Sequence, residues 1–177
     1  MKNYKKNLEL LTTNYVYSKE MEHDACGVGL IASTEGKKSR AIVEYGIEAL
    51  KAVWHRGAVD ADGKTGDGAG IHVEIPKDFF VEKIQVTGHD YDNSEICVGM
   101  IFLPRNDYAA QENCKTIVES ELTKNNFSIY GWRQVPVNSK VLGEKALRTM
   151  PEIIQVLFKP NDPNLLDKNL ERRIYET

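Results

Sequence analysis

Residues 57 to 70 hold five glycines and three aspartates. A glycine inside a helix or strand costs roughly 0.5–1 kcal/mol, so no regular element is expected to survive a density this high. Before it, Ile42, Tyr45, Ala49 and Val53 recur at helical spacing. They predict a helix opened by Ser39 or Arg40, running to about His55, with those four on its inner stripe. After it, Ile71-His-Val-Glu-Ile-Pro alternates apolar and polar residues and predicts a strand ending at Pro76, then a short helix over 77–84. Ile96 to Leu103 reads as an apolar strand closed by Pro104. Asn106 or Asp107 can cap a helix to about Lys124, with Ala110, Cys114, Ile117 and Val118 on its buried face. Strands over 127–137 and 153–158, a short helix over 143–149 and a helix over 164–175 complete the pattern. Upstream, Cys26-Gly-Val-Gly-Leu-Ile-Ala-Ser reads as a short buried strand, and residues 1–25 are polar and weakly patterned.

Composition narrows the function classes. With 177 residues, a chain can bury about 70% of its unfolded surface and needs no disulfide staples. Lys and Arg number 23 against 26 Asp and Glu, a net charge of −3 that argues against a nucleic-acid partner. No apolar run approaches the ~20 residues of a membrane helix. The lysines near the N-terminus resemble a secretory signal, but Glu9 interrupts an apolar stretch already too short for one; the reading is cytoplasmic. Cys26, Cys97 and Cys114 are odd in number and form no C-x-x-C pair. That argues against a disulfide framework and gives little support to a zinc or iron–sulfur site within this chain.

Two ion-binding motifs are near misses. Gly57 and Gly63-Lys64-Thr65 are separated by five residues where a phosphate loop needs four, and the preceding segment is helical rather than a strand. Asp60 and Asp62 begin like a calcium loop, but its twelfth position is Ile71 instead of Glu. His23, His55, His72 and His89 have no spacing that points to a metal. Asp60, Asp62 and Asp67 suit solvated turns as well as a site. His72 alternates with Ile71 and Val73 and is expected on the opposite strand face.

Cys97 and Cys114 read as small core hydrophobes. Cys26 differs, because Ala25 precedes it and Gly27-Val28-Gly29 follows, leaving room for a substrate and backbone donors. No histidine stands at a spacing that would make it a local base. A cysteine at a mature N-terminus can instead use its own α-amine, whose reference pKa is about 7.7–8.0. On spacing alone, an N-terminal nucleophile and a plain core cysteine both remain open.

The segment Glu22-His-Asp-Ala-Cys-Gly-Val-Gly-Leu-Ile-Ala resembles the processing junction and nucleophile of the class II glutamine amidotransferase domain, in the form found in glutamate synthase large subunits. Three further blocks resemble that family in the expected order. They are Gly46 to Ile71, which contains Trp54-His-Arg-Gly and the glycine-rich stretch, then Ile75-Pro-Lys-Asp-Phe-Phe, and Gly131-Trp-Arg-Gln-Val-Pro-Val-Asn. The likeness extends through Pro151-Glu-Ile-Ile-Gln-Val-Leu-Phe and covers essentially the whole chain. It implies an α+β fold: the N-terminal part of a four-layer αββα N-terminal-nucleophile arrangement, incomplete here, with Cys26 on an inner strand. It also implies a propeptide over 1–25 and the first half of the amidotransferase domain over 26–177. Cys26 would be the nucleophile that releases ammonia from L-glutamine, and Arg56 would hold the glutamine α-carboxylate.

The family also uses an Asn-Gly pair as its oxyanion hole, and no Asn-Gly dipeptide occurs here. The helix over 164–175 has no C-cap glycine, so the chain is expected to continue past Thr177 and to be inactive, with exposed apolar surface, by itself. No cofactor is expected in this chain. FMN and an iron–sulfur cluster are implied for the complete enzyme, which would pass ammonia to 2-oxoglutarate. Implied partners are the remaining domains of the large subunit and a small electron-donating subunit, with no nucleic acid and no membrane. The alternative is a non-catalytic module that keeps the N-terminal-nucleophile fold for binding or assembly.

Overall fold

The computed structural model describes residues 27–53, 59–66, 68–165 and 167–177. The chain divides into two compact units, Met1–His55 and Arg56–Thr177.

In the first unit the expected strand after Cys26 does not form: residues 27–33 carry no regular structure, and Val28 and Leu30 are 95% and 91% exposed. A strand needs a neighbour for its backbone N–H and C=O groups, and two glycines give the segment little side chain to pack. No partner strand lies beside it among the described residues; Cys26 itself lies outside them. Helix α1 (Arg40–Ala52) forms as its spacing predicts, with Arg40 donating to Glu44 at 3.2 Å and Lys51 in the last turn, where the helix dipole favours a cation. Its expected inner stripe is not buried, and Tyr45 is more than half exposed. Periodicity makes a helix amphipathic but does not supply the surface that would cover it.

The second unit is built on a three-stranded antiparallel sheet of order β1-β3-β2. Its elements are helix α2 (Lys77–Val86), strand β1 (Cys97–Leu103), helix α3 (Tyr108–Lys124), strand β2 (Phe127–Gln134), a 3-10 turn (Ser139–Val141), helix α4 (Glu144–Thr149), strand β3 (Glu152–Pro160) and helix α5 (Asp167–Glu176). The central strand β3 pairs Cys97 with Phe158 on one side and Phe127 with Pro160 on the other. Because side chains alternate along a strand, neighbours in β3 serve different cores. Val156 and Phe158 pack with Cys97, Leu122, Phe127 and Leu170, beneath α3 and α5. Leu157, fully buried, packs with Phe80, Ile84, Ile96 and Tyr130, beneath α2. The result is mixed helix and sheet, as an α+β reading requires.

Local chemistry explains the boundaries. Asp107 caps α3 by accepting from the Ala110 N–H at 2.9 Å, and Pro104 closes β1. The α3 stripe is Gln111, Cys114, Val118 and Leu122 rather than one containing Ile117, which faces solvent. Gln111 is tolerated in the interior because its amide donates to the carbonyls of Pro104 (2.7 Å) and Arg105 (3.2 Å). Residues 71–76, expected as a strand, stay irregular and exposed, so His72 has no strand face to occupy. Alternation there meets no pairing partner among the described residues.

Strand β2 carries a bulge: Ile129 faces Phe158 while Gly131 faces Leu157, which leaves Tyr130 as the extra residue. Gly131 takes φ +142, and Thr87 packs directly against its Cα. The Thr87 Oγ1 lies 2.7 Å from the carbonyls of both Ile84 and Tyr130 and tethers the end of α2 to the bulge.

Candidate functional site

Of the residues singled out by sequence, Cys26, Arg56 and Asp67 lie outside the described residues. The chain is described again from Val59, where the turn is held by its own aspartates. Val59 and Gly66 form an isolated antiparallel bridge. Inside it, the Asp60 N–H donates to the Thr65 carbonyl at 2.7 Å and the Gly63 N–H to the Asp60 carbonyl at 2.9 Å, with Gly63 at φ +67. Asp62 fastens the turn. Its Oδ1 accepts from the N–H of Lys64 (2.9 Å) and Thr65 (2.7 Å), and its Oδ2 accepts from the Thr65 hydroxyl at 2.5 Å. The Thr65 hydroxyl first, then the Thr65, Lys64 and Lys145 amides, hold the Asp62 carboxyl well below the usual carboxylate range.

The turn rests on α4. Gly143, buried at the N-cap of α4, is so close that a Cβ there would sit 2.2 Å from Thr65 Oγ1 and 2.4 Å from Asp62 Oδ2. Lys145, in the first turn of α4, donates to Asp60 Oδ2 at 2.5 Å, and this pairing lowers the Asp60 pKa. The glycine that permits close packing is therefore Gly143, outside the glycine-rich stretch; Gly63, Gly68 and Gly70 have open space around them. Sequence reading missed Gly143 and Lys145. The available signal was a glycine at a helix N-cap, where Ser, Thr, Asp or Asn is commoner. The amides of Ala61, Lys64 and Thr65 all donate to aspartate oxygens, which makes the turn a poor cradle for phosphate.

A second polar cluster lies at the bulge. Asp92 accepts from the Tyr130 hydroxyl at 2.9 Å and pairs with Lys159, whose ammonium stands 5.4 Å from the centre of the Tyr130 ring. Lys159 holds the Asp92 carboxyl well below its usual range, while burial and then Asp92 push the Tyr130 hydroxyl well above its own. Every group here has a partner within the unit, so the cluster ties residues 87–94 to the sheet.

Cys97 is excluded as a nucleophile, because burial pushes its thiol up to about 12. Cys114 is half-buried in the α3 stripe. Among the described residues no three His, Cys, Asp or Glu side chains come together as a metal site, so they offer no ligand set for an iron–sulfur cluster. A shallow cleft of about 420 Å³ beside α4, lined by residues such as Val137, Leu142, Ala146 and Met150, holds no charged side chain for acid–base work. No helix among the described residues is long and apolar enough to cross a membrane.

The family described as glutamine amidotransferases class-II matches residues 26–177. The glutamate synthase [NADPH] large chain of Azospirillum brasilense is 53% identical over 172 residues, covering 97% of this chain and 11% of its own length. The ferredoxin-dependent glutamate synthase 2 of Synechocystis is 38% identical over 155 residues, 87% of this chain and 10% of that protein. The glutamate synthase [NADH] of Saccharomyces cerevisiae is 40% identical over 151 residues, 82% and 7% respectively. The chain thus spans about a tenth of the length of the curated relatives it matches. A family match over residues 26–177, with several relatives near or above 40% identity, leaves one assignment: the chain belongs to the class-II glutamine amidotransferases.

Proposed function

We propose that this chain performs the glutaminase half-reaction of a glutamate synthase, with Cys26 as nucleophile after removal of residues 1–25. The observation that carries the reading is the start of the family match at Cys26 itself. While residue 25 is attached, the Cys26 nitrogen is an amide with no basic lone pair. Once freed, it is an amine that accepts the thiol proton as Sγ bonds to the side-chain carbonyl carbon of glutamine. The same proton passes to the leaving nitrogen, the C–N bond breaks, and ammonia departs. Water then cleaves the γ-glutamyl thioester, which releases glutamate and restores the thiol.

Arg56 is the proposed ligand for the glutamine α-carboxylate. A guanidinium presents two parallel N–H donors to a carboxylate, a match that lysine lacks. In the complete enzyme the ammonia would go to 2-oxoglutarate. The names of the relatives support that destination: each is a glutamate synthase, differing in its electron donor. FMN, an iron–sulfur cluster and a small electron-donating subunit belong on this reading to regions outside these residues.

The fold reading is the first half of a four-layer αββα domain. Val98 faces the α2 side of the sheet, and Met100 and Phe102 follow it at strand period on the same face. Phe102 is 63% exposed. An open apolar strip on a sheet face supports a further layer there.

The deciding experiment is Cys26→Ala in the full-length native polypeptide. Intact mass should show residues 1–25 absent from the parent and retained in the variant, and glutamine-dependent ammonia release should vanish. A parent that keeps its leader and releases no ammonia would instead show a non-catalytic module.

A further inference from the structure

One row of the sheet runs from Met100 in β1 through Gln155 in β3 to Arg133 in β2. Side chains alternate along each strand, so this row shares the face of Leu157, which α2 covers. Toward β1 the cover ends: Met100 is 48% exposed, and Phe102, two residues further along, is more exposed still. The rest of the row carries donors only. Gln155 is buried, and its Oε1 accepts from Arg133 Nη1 at 2.6 Å. That bond leaves the Gln155 Nε2 group with two N–H donors and no acceptor among the described residues. Arg133 meets no carboxylate among the described residues either; its further contact is the Phe79 ring, whose centre lies 5.1 Å from Cζ. Lys83 stands 5.1 Å from the same ring centre, so two cations share one ring, and Glu82 reaches only Lys83, at 3.5 Å. Arg40, Arg148 and Arg172 each pair with a glutamate four residues away at exposed positions, where solvent already screens them. Arg133 is more sheltered and has no acid.

Apolar cover alone would strand this guanidinium and the amide beside it away from water, which is strongly unfavourable. A carboxylate supplies what is missing: a negative charge, and two oxygens that accept from a guanidinium and from a neighbouring N–H. We propose that the open face from Arg133 and Gln155 to Met100 and Phe102 docks a layer of the same polypeptide that follows Thr177, and that an Asp or Glu of that layer pairs with Arg133 and Gln155. The proposal rests on the four-layer reading given above and adds the chemistry of the contact. Relatives about ten times the length of this chain have polypeptide enough for such a layer.

The experiment uses the full-length native polypeptide. Hydroxyl-radical footprinting reads the cover over Met100, and carbodiimide coupling followed by peptide mapping reads the partner of position 133. In the parent, Met100 should be oxidised at least about tenfold more slowly than the methionine of an unstructured reference peptide. Arg133→Lys keeps the charge and puts a reactive amine in the row; carbodiimide should join it to an Asp or Glu beyond Thr177, with Met100 still oxidised within about twofold of the parental rate. Arg133→Glu sets two carboxylates face to face and should raise Met100 oxidation at least about fivefold. If Met100 in the parent is oxidised as fast as the reference peptide, the covering layer falls and the pairing falls with it. If Met100 is protected but position 133 couples only to acids within residues 1–177, or to none, the four-layer reading stands and the pairing is overturned. Parental protection of Met100 in Arg133→Glu would overturn the pairing as well. Should Arg133→Glu fail to fold, the coupling found in Arg133→Lys decides.

Discussion

Replacing Gly131 by alanine tests whether the β2 bulge is as tightly specified as its surroundings imply. Two costs add. Gly131 sits at φ +142, where an L side chain is strained, and a residue held in such a region costs about 1–3 kcal/mol. A new Cβ would also lie 3.0 Å from Thr87 Cγ2 and 3.1 Å from Thr87 Cβ. Thr87 is poorly placed to retreat, because its hydroxyl lies 2.7 Å from both the Ile84 and Tyr130 carbonyls. Overpacking of that kind typically costs about 1–3 kcal/mol, so the sum is roughly 2–6 kcal/mol, a large share of the ~5–15 kcal/mol that holds a domain together. Gly88 provides the comparison: it too has positive φ, +83, but nothing stands within 4 Å of its added Cβ. Gly88→Ala should show the backbone cost alone, about 1–2 kcal/mol. The assay is urea unfolding of the 177-residue chain, followed by circular dichroism and tryptophan fluorescence and accepted only where the two midpoints coincide. A Gly131→Ala loss no greater than that of Gly88→Ala would refute the argument that Thr87 and the bulge form one rigid contact.

Two further outcomes follow from the site and the bulge. Arg56→Lys should raise the glutamine KM, since loss of a desolvated bidentate contact typically costs about 2–5 kcal/mol, and an unchanged KM would remove Arg56 from the binding site. Asp92→Asn should destabilise the chain at neutral pH. The native Asp92 pKa lies below its ordinary value near 3.8, so its contribution is present above that pH and lost as pH falls through the native value. The urea midpoints of parent and variant should therefore converge only below about pH 4; a gap that stays constant to pH 3 would mean Asp92 and Lys159 are not coupled as described.

How far the sequence disclosed this molecule depended on whether a signal was local. Asp107 caps its helix within three residues and Pro104 ends β1 by lacking a donor, so both boundaries were legible. The strands expected over 27–33 and 71–76 do not form, because an apolar run or an alternation states which face a strand would bury, not whether a neighbour exists to bond it. The bulge at Tyr130 was hidden for a related reason: it is a property of register against β3, a strand more than twenty residues away, and only the glycine at 131 marked it. The site divides along the same line. Cys26 and Arg56 stood out through resemblance to a family, because the roles proposed for them, nucleophile and carboxylate ligand, attach to short local motifs. The Asp62 contact to Gly143 joins residues far apart in sequence, with a glycine as one partner, and a glycine's contribution there is the absence of a side chain. The glycine-rich stretch therefore misled in one respect. Its own glycines confer turn geometry, as Gly63 does at φ +67, whereas the close approach that fixes the turn is made possible by a glycine at a helix start, where a linear reading sees only a cap.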